Sequence, residues 1–228
     1  MIRPTVLLFD LDGTLVRTGG AGRRAMRRAL ARELDAPDAL EGVSFGGRTD
    51  RWILRTAFER VGRVFDEAGF AQVTSTYLAY LDEELRDPKG YRVLPAVPEV
   101  VKACANFPAT ALGLGTGNIE AAAYAKLGPS GLAPAFAFGG FGSDAEDRGE
   151  LVATGFARGA AALGVAPEEA RRVIIGDTTR DVDAAKAVGA LCLAVGTGGE
   201  DPEALAARGA DLALPTLAGA EALAFLRG

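Results

Sequence analysis

Short apolar runs alternate with alanine-rich helical stretches along most of this 228-residue chain. Such runs are typical of strands buried on both faces of a parallel sheet. They occupy 5–9, 109–114, 134–138, 172–175 and 190–195. Helical spacing covers 118–128, 149–164, 179–188 and 202–208. Strand alternating with helix predicts an α/β fold, a doubly wound parallel sheet, with its active crevice beyond the carboxyl ends of the strands.

The stretch between the first two strands breaks this alternation. Its helical patterns lie at 21–34, 50–64 and 67–87. An insert placed directly after the first strand lies over the crevice, where it can act as a lid. We therefore expect a helical cap over 17–90 and a core formed by 1–16 and 91–228.

Histidine is absent from the sequence. Its absence excludes Ser-His-Asp and Cys-His catalysis, zinc sites that use histidine, and a histidine general base. Acid and base chemistry must then come from carboxylates, lysine, tyrosine or cysteine.

Other features of the composition indicate a cytoplasmic protein. Cys104 and Cys192 each stand in an apolar stretch, which favours buried thiols over a disulfide framework. The N-terminal apolar run is too short for a signal peptide, and no segment approaches about 18 uninterrupted apolar residues. The net charge is −5, and no basic tail or aromatic-interleaved basic patch is found, so we do not expect nucleic acid as a partner. We also expect no membrane partner, and either a monomer or a homodimer.

Two carboxylates follow the first strand. Asp10 and Asp12 are two positions apart, so they point to the same side of an extended chain. Gly13 allows a sharp turn and Thr14 can hydrogen-bond within it. The alternative is an Asx turn with solvated acids.

A second acidic pair follows the fourth strand. Asp177 and Asp181 are four positions apart and share one face of an opening helix. Ordinary N-capping is the alternative for them. Acids at two strand ends that face one crevice would repel each other without a hard cation, and Mg²⁺ with oxygen ligands suits such a site.

Two further strand ends carry groups that suit an anion. Thr116, Gly117 and Asn118 offer a hydroxyl and backbone N–H groups at a helix start, although a plain glycine turn or a dinucleotide loop gives a similar pattern. Ser143 and Glu146 fit a capping box after the third strand. Arg148 is the cation near that strand end, either as a phosphate ligand or as a surface residue.

These elements, in this order, resemble the haloacid dehalogenase superfamily of phosphotransferases. DLDGTL at 10–15 and GDTTRDVDAAKAVG at 176–189 carry the resemblance, and the elements at Thr116 and Arg148 are weaker. The layout is closest to the phosphoglycolate-phosphatase-like branch, which has a helical C1-type cap. The resemblance implies a Rossmann-like core and Mg²⁺-dependent hydrolysis of a small phosphorylated metabolite through an aspartyl-phosphate.

The resemblance also implies a role for each motif residue. Asp10 is the nucleophile and Asp12 the general acid/base. Asp10, the Asp12 carbonyl and Asp177 ligate Mg²⁺, with Asp181 behind them. Phosphate is bound by Thr116, Gly117, Asn118 and Arg148. Arg148 stands where the family usually has lysine, so it keeps the charge and offers two donors.

Several alternative activities compete with the phosphatase. Dehalogenases of this family lack the second acid, which is present here as Asp12. Phosphonatases need a cap lysine, and the cap has none except Lys89 at its edge. A phosphomutase such as β-phosphoglucomutase uses the same core residues and stays open. A signalling receiver also pairs acids with Mg²⁺ but is about half this length.

Specificity must come from the cap. The segment 45–50 is rich in glycine, and its Arg48 and Thr49 could contact the distal group of the substrate. A plain turn with Thr49 or Asp50 as N-cap is the alternative. Arginines crowd one helix at 23–32, either as a solvated face or as a field that attracts anionic substrates.

Overall fold

The computed structural model describes residues 3–228, so the first two residues of the predicted core lie outside it. Its strands are β1 (Thr5–Phe9), β2 (Val16–Thr18), β3 (Tyr91–Val93), β4 (Thr110–Thr116), β5 (Phe138–Phe141), β6 (Arg171–Gly176), β7 (Leu191–Val195) and β8 (Leu212–Leu214). Six of them form a sheet in the order β5-β4-β1-β6-β7-β8, and each neighbouring pair is parallel.

Helices cover both faces of this sheet and lie over the carboxyl ends of its strands. They are α1 (Ala21–Leu34), α2 (Asp50–Arg60), α3 (Glu67–Arg86), α4 (Val97–Ala105), α5 (Glu120–Leu127), α6 (Arg148–Leu163), α7 (Thr179–Ala187), α8 (Pro202–Arg208) and α9 (Ala220–Arg227). None of the helices within residues 3–228 combines the length and apolar character needed to cross a bilayer.

The central strand β1 shows why the sheet is doubly wound. All five of its residues are buried, and successive side chains point to opposite faces. Leu7 and Phe9 belong to the apolar cluster with α4, α5 and α9, whereas Val6 and Leu8 pack with α6, α7 and α8. The predicted doubly wound Rossmann-like sheet is confirmed, and both cysteines are buried as expected.

Helices α1, α2 and α3, which we call the helical unit (Ala21–Arg86), form an apolar cluster of their own. Met26, Leu30, Leu54 and Tyr77 lie at its centre. Ile119 and Ala122, from the segment leading into α5 and from α5 itself, also belong to this cluster. The helical unit therefore packs on the same end of the sheet as the carboxyl termini of the strands.

The chain enters and leaves the helical unit through a two-stranded antiparallel ribbon that the sequence did not predict. Strands β2 and β3 pair with Val16 opposite Val93 and Arg17 opposite Arg92. Three-residue strands carry too little periodicity to be recognised, and their pairing joins segments about 75 positions apart. The ribbon lies at the two boundaries predicted for the cap.

The third strand of the sheet was predicted too early. Residues 134–138 were expected to form it, but Ala133–Ala135 is a 3₁₀ turn and the strand is β5. Pro134 has no N–H for a ladder and its fixed φ favours a turn. The two glycines of the β5 sequence FGGF are disfavoured in strands. Gly140, however, lets α6 approach, since a Cβ there would lie 1.8 Å from the carbonyl oxygen of Leu151.

The start of α6 also differs from expectation. The predicted capping box of Ser143 and Glu146 is wrong, because the helix begins at Arg148 and Asp147 caps it by accepting from the N–H of Glu150. Ser143 accepts instead from the N–H of Glu120. This cap fixes Arg148 as the first helical residue, facing the carboxyl ends of the strands.

Candidate active site

A cavity of about 700 Å³ opens at the carboxyl ends of β1, β4 and β6, beneath the helical unit. The core contributes residues from all four predicted motifs, including Asp10, Thr116, Arg148 and Asp177. The helical unit contributes residues of α1 and of the loop before α2. The strand-end rule therefore places the predicted chemistry in one crevice.

Three buried carboxylates meet at the floor of this cavity. Asp10, Asp177 and Asp181 each place an oxygen within 4.8 Å of the others. Burial raises the pKa of Asp10 to about 6, with Arg148 opposing that rise and Asp181 adding to it. Burial, and then the neighbouring Asp10, raise the pKa of Asp177 well above its ordinary value. The two acids resist ionising together unless a cation joins them.

Arg148 links the acids that follow β1 to those that follow β6. Its Nη2 lies 3.2 Å from Asp10 Oδ2, and its Nε donates to Asp181 Oδ1 at 3.0 Å. The second oxygen of Asp181 accepts from the N–H of Asp177 at 3.2 Å, from the N–H of Thr178 at 3.0 Å and from the Thr178 hydroxyl at 2.7 Å. Asp181 is thus both a helix cap and a support for Asp177 and Arg148.

Glycines leave the space that the Asp177 carboxylate occupies. A Cβ on Gly198 would lie 1.5 Å from Asp177 Oδ2, and one on Gly13 would lie 2.5 Å from it. Gly13 also has a φ of +94°, in the region that favours glycine. The hydroxyl of Thr14 donates to Asp177 Oδ1 at 2.9 Å, so the DLDGT turn holds Asp177 as well as presenting Asp10.

A second polar network joins Asp12 to the loop after β4. Asn118 Nδ2 donates to Asp12 Oδ2 and to Thr116 Oγ1, both at 2.9 Å. Lys126 Nζ donates to Asp12 Oδ2 at 2.7 Å and to Asn118 Oδ1 at 2.6 Å. Burial alone would lower the pKa of Lys126, but Asp12, Tyr77 and Asp50 around it raise that pKa above its ordinary value. Lys126 is therefore a fixed cation of the site.

Comparison with known proteins identifies the family. Residues 4–189 match the haloacid dehalogenase-like hydrolases. The chain belongs to this family. No curated protein matches the sequence. The match also rules against the signalling receiver that the acidic pairs had left open.

Solved structures of low sequence identity share the fold of this hydrolase. CbbY from Rhodobacter sphaeroides in complex with phosphate is 19% identical, with a TM-score of 0.66 over 98% of this chain and 100% of that one. A predicted phosphoglycolate phosphatase from Haemophilus somnus is 18% identical, with a TM-score of 0.64 over 95% of each chain. A predicted phosphatase from Clostridium acetobutylicum is 17% identical, with a TM-score of 0.65 over 94% and 95%.

The donors at the floor of the hydrolase cavity fit a hard divalent cation. Asp10 and Asp177 are buried carboxylates with raised pKa values, and oxygen ligands are those that Mg²⁺ prefers. Asp181 already has protein donors on both oxygens, in keeping with a supporting role. The Asp12 side chain is turned to Lys126, so its predicted part as a ligand would fall to its carbonyl.

The predicted phosphate loop lies beside the acids. Thr116 is buried at the end of β4, and its hydroxyl accepts from Asn118 and keeps its own proton to donate. The side chain of Asn118 is engaged with protein groups at both its oxygen and its nitrogen, and its backbone N–H donates to the Thr116 hydroxyl at 3.4 Å. A Cβ on Gly117 would lie 2.2 Å from the carbonyl oxygen of Arg48, so the loop of the helical unit passes directly over it.

That loop is tied to the core by backbone contacts. The N–H of Asp50 donates to the carbonyl of Gly117 at 2.7 Å, and Asp50 Oδ2 accepts from the N–H of Ile119 at 2.9 Å. Thr49 caps α2 through the N–H of Trp52 and donates its hydroxyl to the carbonyl of Glu146 at 3.1 Å. Thr49 is therefore the N-cap of α2, as the alternative of a plain turn expected. The loop also approaches the core closely.

The arginines expected to meet the substrate differ in their surroundings. Arg48 lines the cavity with its guanidinium stacked on Trp52, 3.9 Å from the ring centre. Four arginines of α1 form surface ion pairs: Arg24 with Glu84, Arg27 with Asp38, Arg28 with Glu83, and Arg32 with Glu33. Arg23 differs from them, because it lines the cavity and its guanidinium stacks on the ring of Phe45. Most of the arginines of this helix therefore form a solvated face.

Lys126 is the site residue that the sequence analysis missed. It follows no strand and belongs to no motif, since it stands near the end of the alanine-rich helix α5. The one available signal was a lone lysine among apolar residues. It reaches the site because α5 packs between the sheet and the helical unit.

Replacing Asp10 with asparagine should stabilise the metal-free protein at high pH. Folding raises the pKa of Asp10 from 3.8 to about 6. Ionisation of Asp10 therefore lowers the free energy of unfolding as the pH rises from about 4 through 6, and below about pH 4 it has no effect. We expect Asp10→Asn to raise the free energy of unfolding by about 1–3 kcal/mol at pH 8, and the gain to vanish near pH 4. Urea unfolding with a chelator measures both values.

Asp183→Asn is the matched control for that experiment. The pKa of Asp183 is lowered by its hydrogen bond with Arg208. This change should leave stability unchanged or slightly reduced at pH 8. A loss of stability in Asp10→Asn at pH 8 would contradict the account of the buried acids.

Proposed function

We propose that this hydrolase is a Mg²⁺-dependent phosphatase that acts on a small phosphorylated metabolite, a phosphoglycolate-like phosphomonoester. The observation that carries the proposal is the buried Asp10 carboxylate held beside Arg148 in a cavity that Thr116 also lines. A nucleophilic carboxylate next to a buried guanidinium suits attack on an anionic phosphoryl group.

The residues support a two-step reaction. The Asp10 carboxylate attacks phosphorus while the ester P–O bond breaks, and Asp12 gives a proton to the leaving alkoxide. Asp12 then takes a proton from water, whose oxygen displaces Asp10 from the aspartyl-phosphate. Arg148 and Thr116 orient the phosphoryl oxygens. Mg²⁺ held by Asp10 and Asp177 would neutralise negative charge where these groups meet.

The helical unit would serve as the cap of residues 17–90, with the β2-β3 ribbon at its hinge. It covers the crevice, and the loop around Arg48 closes over Gly117. A covered site keeps water from the reacting groups. We further propose that it acts without nucleic acid or a membrane as a partner, as a monomer or homodimer.

The cavity favours a substrate with a second negative group. Besides Arg148, four arginines line it: Arg17, Arg23, Arg48 and Arg92. Arg17 and Arg92 are directly opposite each other in the ribbon. Like charges in that position repel, and an anion between them would relieve the repulsion.

A phosphomutase is the second candidate. A cavity of about 700 Å³ has room for a sugar phosphate, and the same core residues would transfer its phosphoryl group. Steady release of inorganic phosphate supports the phosphatase, whereas isomerisation without release supports the mutase.

Asp10→Asn should abolish turnover. We expect phosphate release from p-nitrophenyl phosphate with Mg²⁺ to fall at least ~10³-fold, because the attacking carboxylate is lost and the side-chain shape is kept. Asp183→Asn, an exposed acid paired with Arg208, should keep normal rates. A chelator should abolish the activity of the unmodified enzyme. Near-normal turnover in folded Asp10→Asn would refute the proposal.

Arg48→Ala tests the assignment of the cap loop. If Arg48 contacts the distal group, kcat/KM for phosphoglycolate should fall at least ~10-fold, and that for p-nitrophenyl phosphate should change little. Arg148→Ala should impair both substrates, since they share the phosphoryl group. Equal losses for Arg48→Ala would show that the stack on Trp52 is structural and would remove Arg48 from the specificity residues.

A further inference from the structure

Lys126 is a buried cation with no role in the reaction as described so far. Its side chain is 8% exposed, and its ammonium contacts Asp12 Oδ2 at 2.7 Å and Asn118 Oδ1 at 2.6 Å. A buried ammonium is costly unless charged or polar partners surround it. The pairing therefore ties α5 to the acid that follows β1.

The contacts on Asp12 are distributed unevenly between its two oxygens. Oδ2 accepts from both Lys126 and Asn118, at 2.7 and 2.9 Å. Within residues 3–228 no protein donor reaches Oδ1. The side chain of Asp12 is 42% exposed and lines the cavity. An oxygen that accepts two bonds from nitrogen donors is a poor place for a proton, so Oδ1 is left to carry and transfer it.

The helical unit limits the movement of Lys126. A Cβ on Gly22 of α1 would lie 3.0 Å from both Cε and Nζ of Lys126 and 3.6 Å from the Tyr77 hydroxyl. The ammonium is therefore enclosed by α1 on one side and by Asp12 and Asn118 on the other. Glycine at this position of α1 is what permits the close approach.

We propose that Lys126 is a positioning residue that, together with Asn118, anchors Asp12 Oδ2 so that Oδ1 faces the leaving group of the substrate. This inference rests on the proposed phosphatase function and on Asp12 as its general acid. Lys126 does not contact the phosphoryl group in this arrangement. Its loss should therefore harm proton donation and leave phosphoryl binding largely intact.

The dependence of rate on the leaving group separates these two effects. The leaving group of ethyl phosphate is a strongly basic alkoxide, which needs a proton as it departs. The leaving group of p-nitrophenyl phosphate is p-nitrophenolate, which departs without one. For Lys126→Met, with Mg²⁺, we expect kcat/KM to fall at least ~30-fold on ethyl phosphate and less than ~3-fold on p-nitrophenyl phosphate, with phenyl phosphate between them. The ratio kcat/KM reports steps up to the first phosphoryl transfer, so a slow second step does not mask the difference.

Three further variants show what each result means. Asp12→Asn should show the same selectivity with larger losses, and Thr116→Val should lose activity equally on all three esters. Gly22→Ala keeps Lys126 but displaces its ammonium, and alanine favours the helix, so the protein should fold and show the selectivity more weakly. Gly22→Ala also replaces Lys126→Met as the test variant if Lys126→Met fails to fold.

If Lys126→Met loses activity equally on all three esters, the inference about Lys126 is overturned, while the proposed phosphatase function is unaffected. The same holds for Gly22→Ala if Lys126→Met does not fold. If the unmodified enzyme releases no phosphate from any of the three esters, the proposed function itself fails and the inference with it. Selective losses support both.

Discussion

The guanidinium of Arg148 compensates the charge of acids that the fold brings together at the ends of two neighbouring strands. Asp10 follows β1 and Asp181 opens α7 after β6, and these strands pair residue by residue up to Phe9 and Ile175. Their carboxylates would repel each other in a buried site without a countercharge. Arg148, the first residue of α6, contacts both.

Other parts of the structure depend on this arrangement. Asp147 caps α6 and thereby places Arg148, while Gly13 and Gly198 leave space for Asp177. Arg148 also donates to the carbonyl of Gly47 at 3.3 Å, which ties the loop of the helical unit to the same cation. Arg148 does not balance every acid of the cavity, because Asp12 is paired with Lys126 instead. The proposed nucleophile Asp10 is thus paired with Arg148, and the proposed general acid Asp12 with Lys126.

Much of this could be predicted from the sequence because it follows local rules. The bounds of β1 and α1 were predicted to the residue, and the strand-end rule brought Asp10, Thr116 and Asp177 into one crevice. Features set by distant contacts escaped prediction. Strand β5 takes its place because α6 packs against Gly140, and Lys126 reaches Asp12 across 114 positions of sequence. Neither contact leaves a periodic or spaced pattern in the sequence.

Trapping the covalent intermediate tests the central claim most directly. Borohydride reduces an acyl phosphate to an alcohol, so enzyme quenched during turnover of p-nitrophenyl phosphate with Mg²⁺ should carry homoserine in place of Asp10, read by peptide mass spectrometry. The account predicts this change at position 10 alone, and only when substrate is present. Turnover without any reduction at Asp10, or reduction at Asp12 or Asp177 instead, would contradict it.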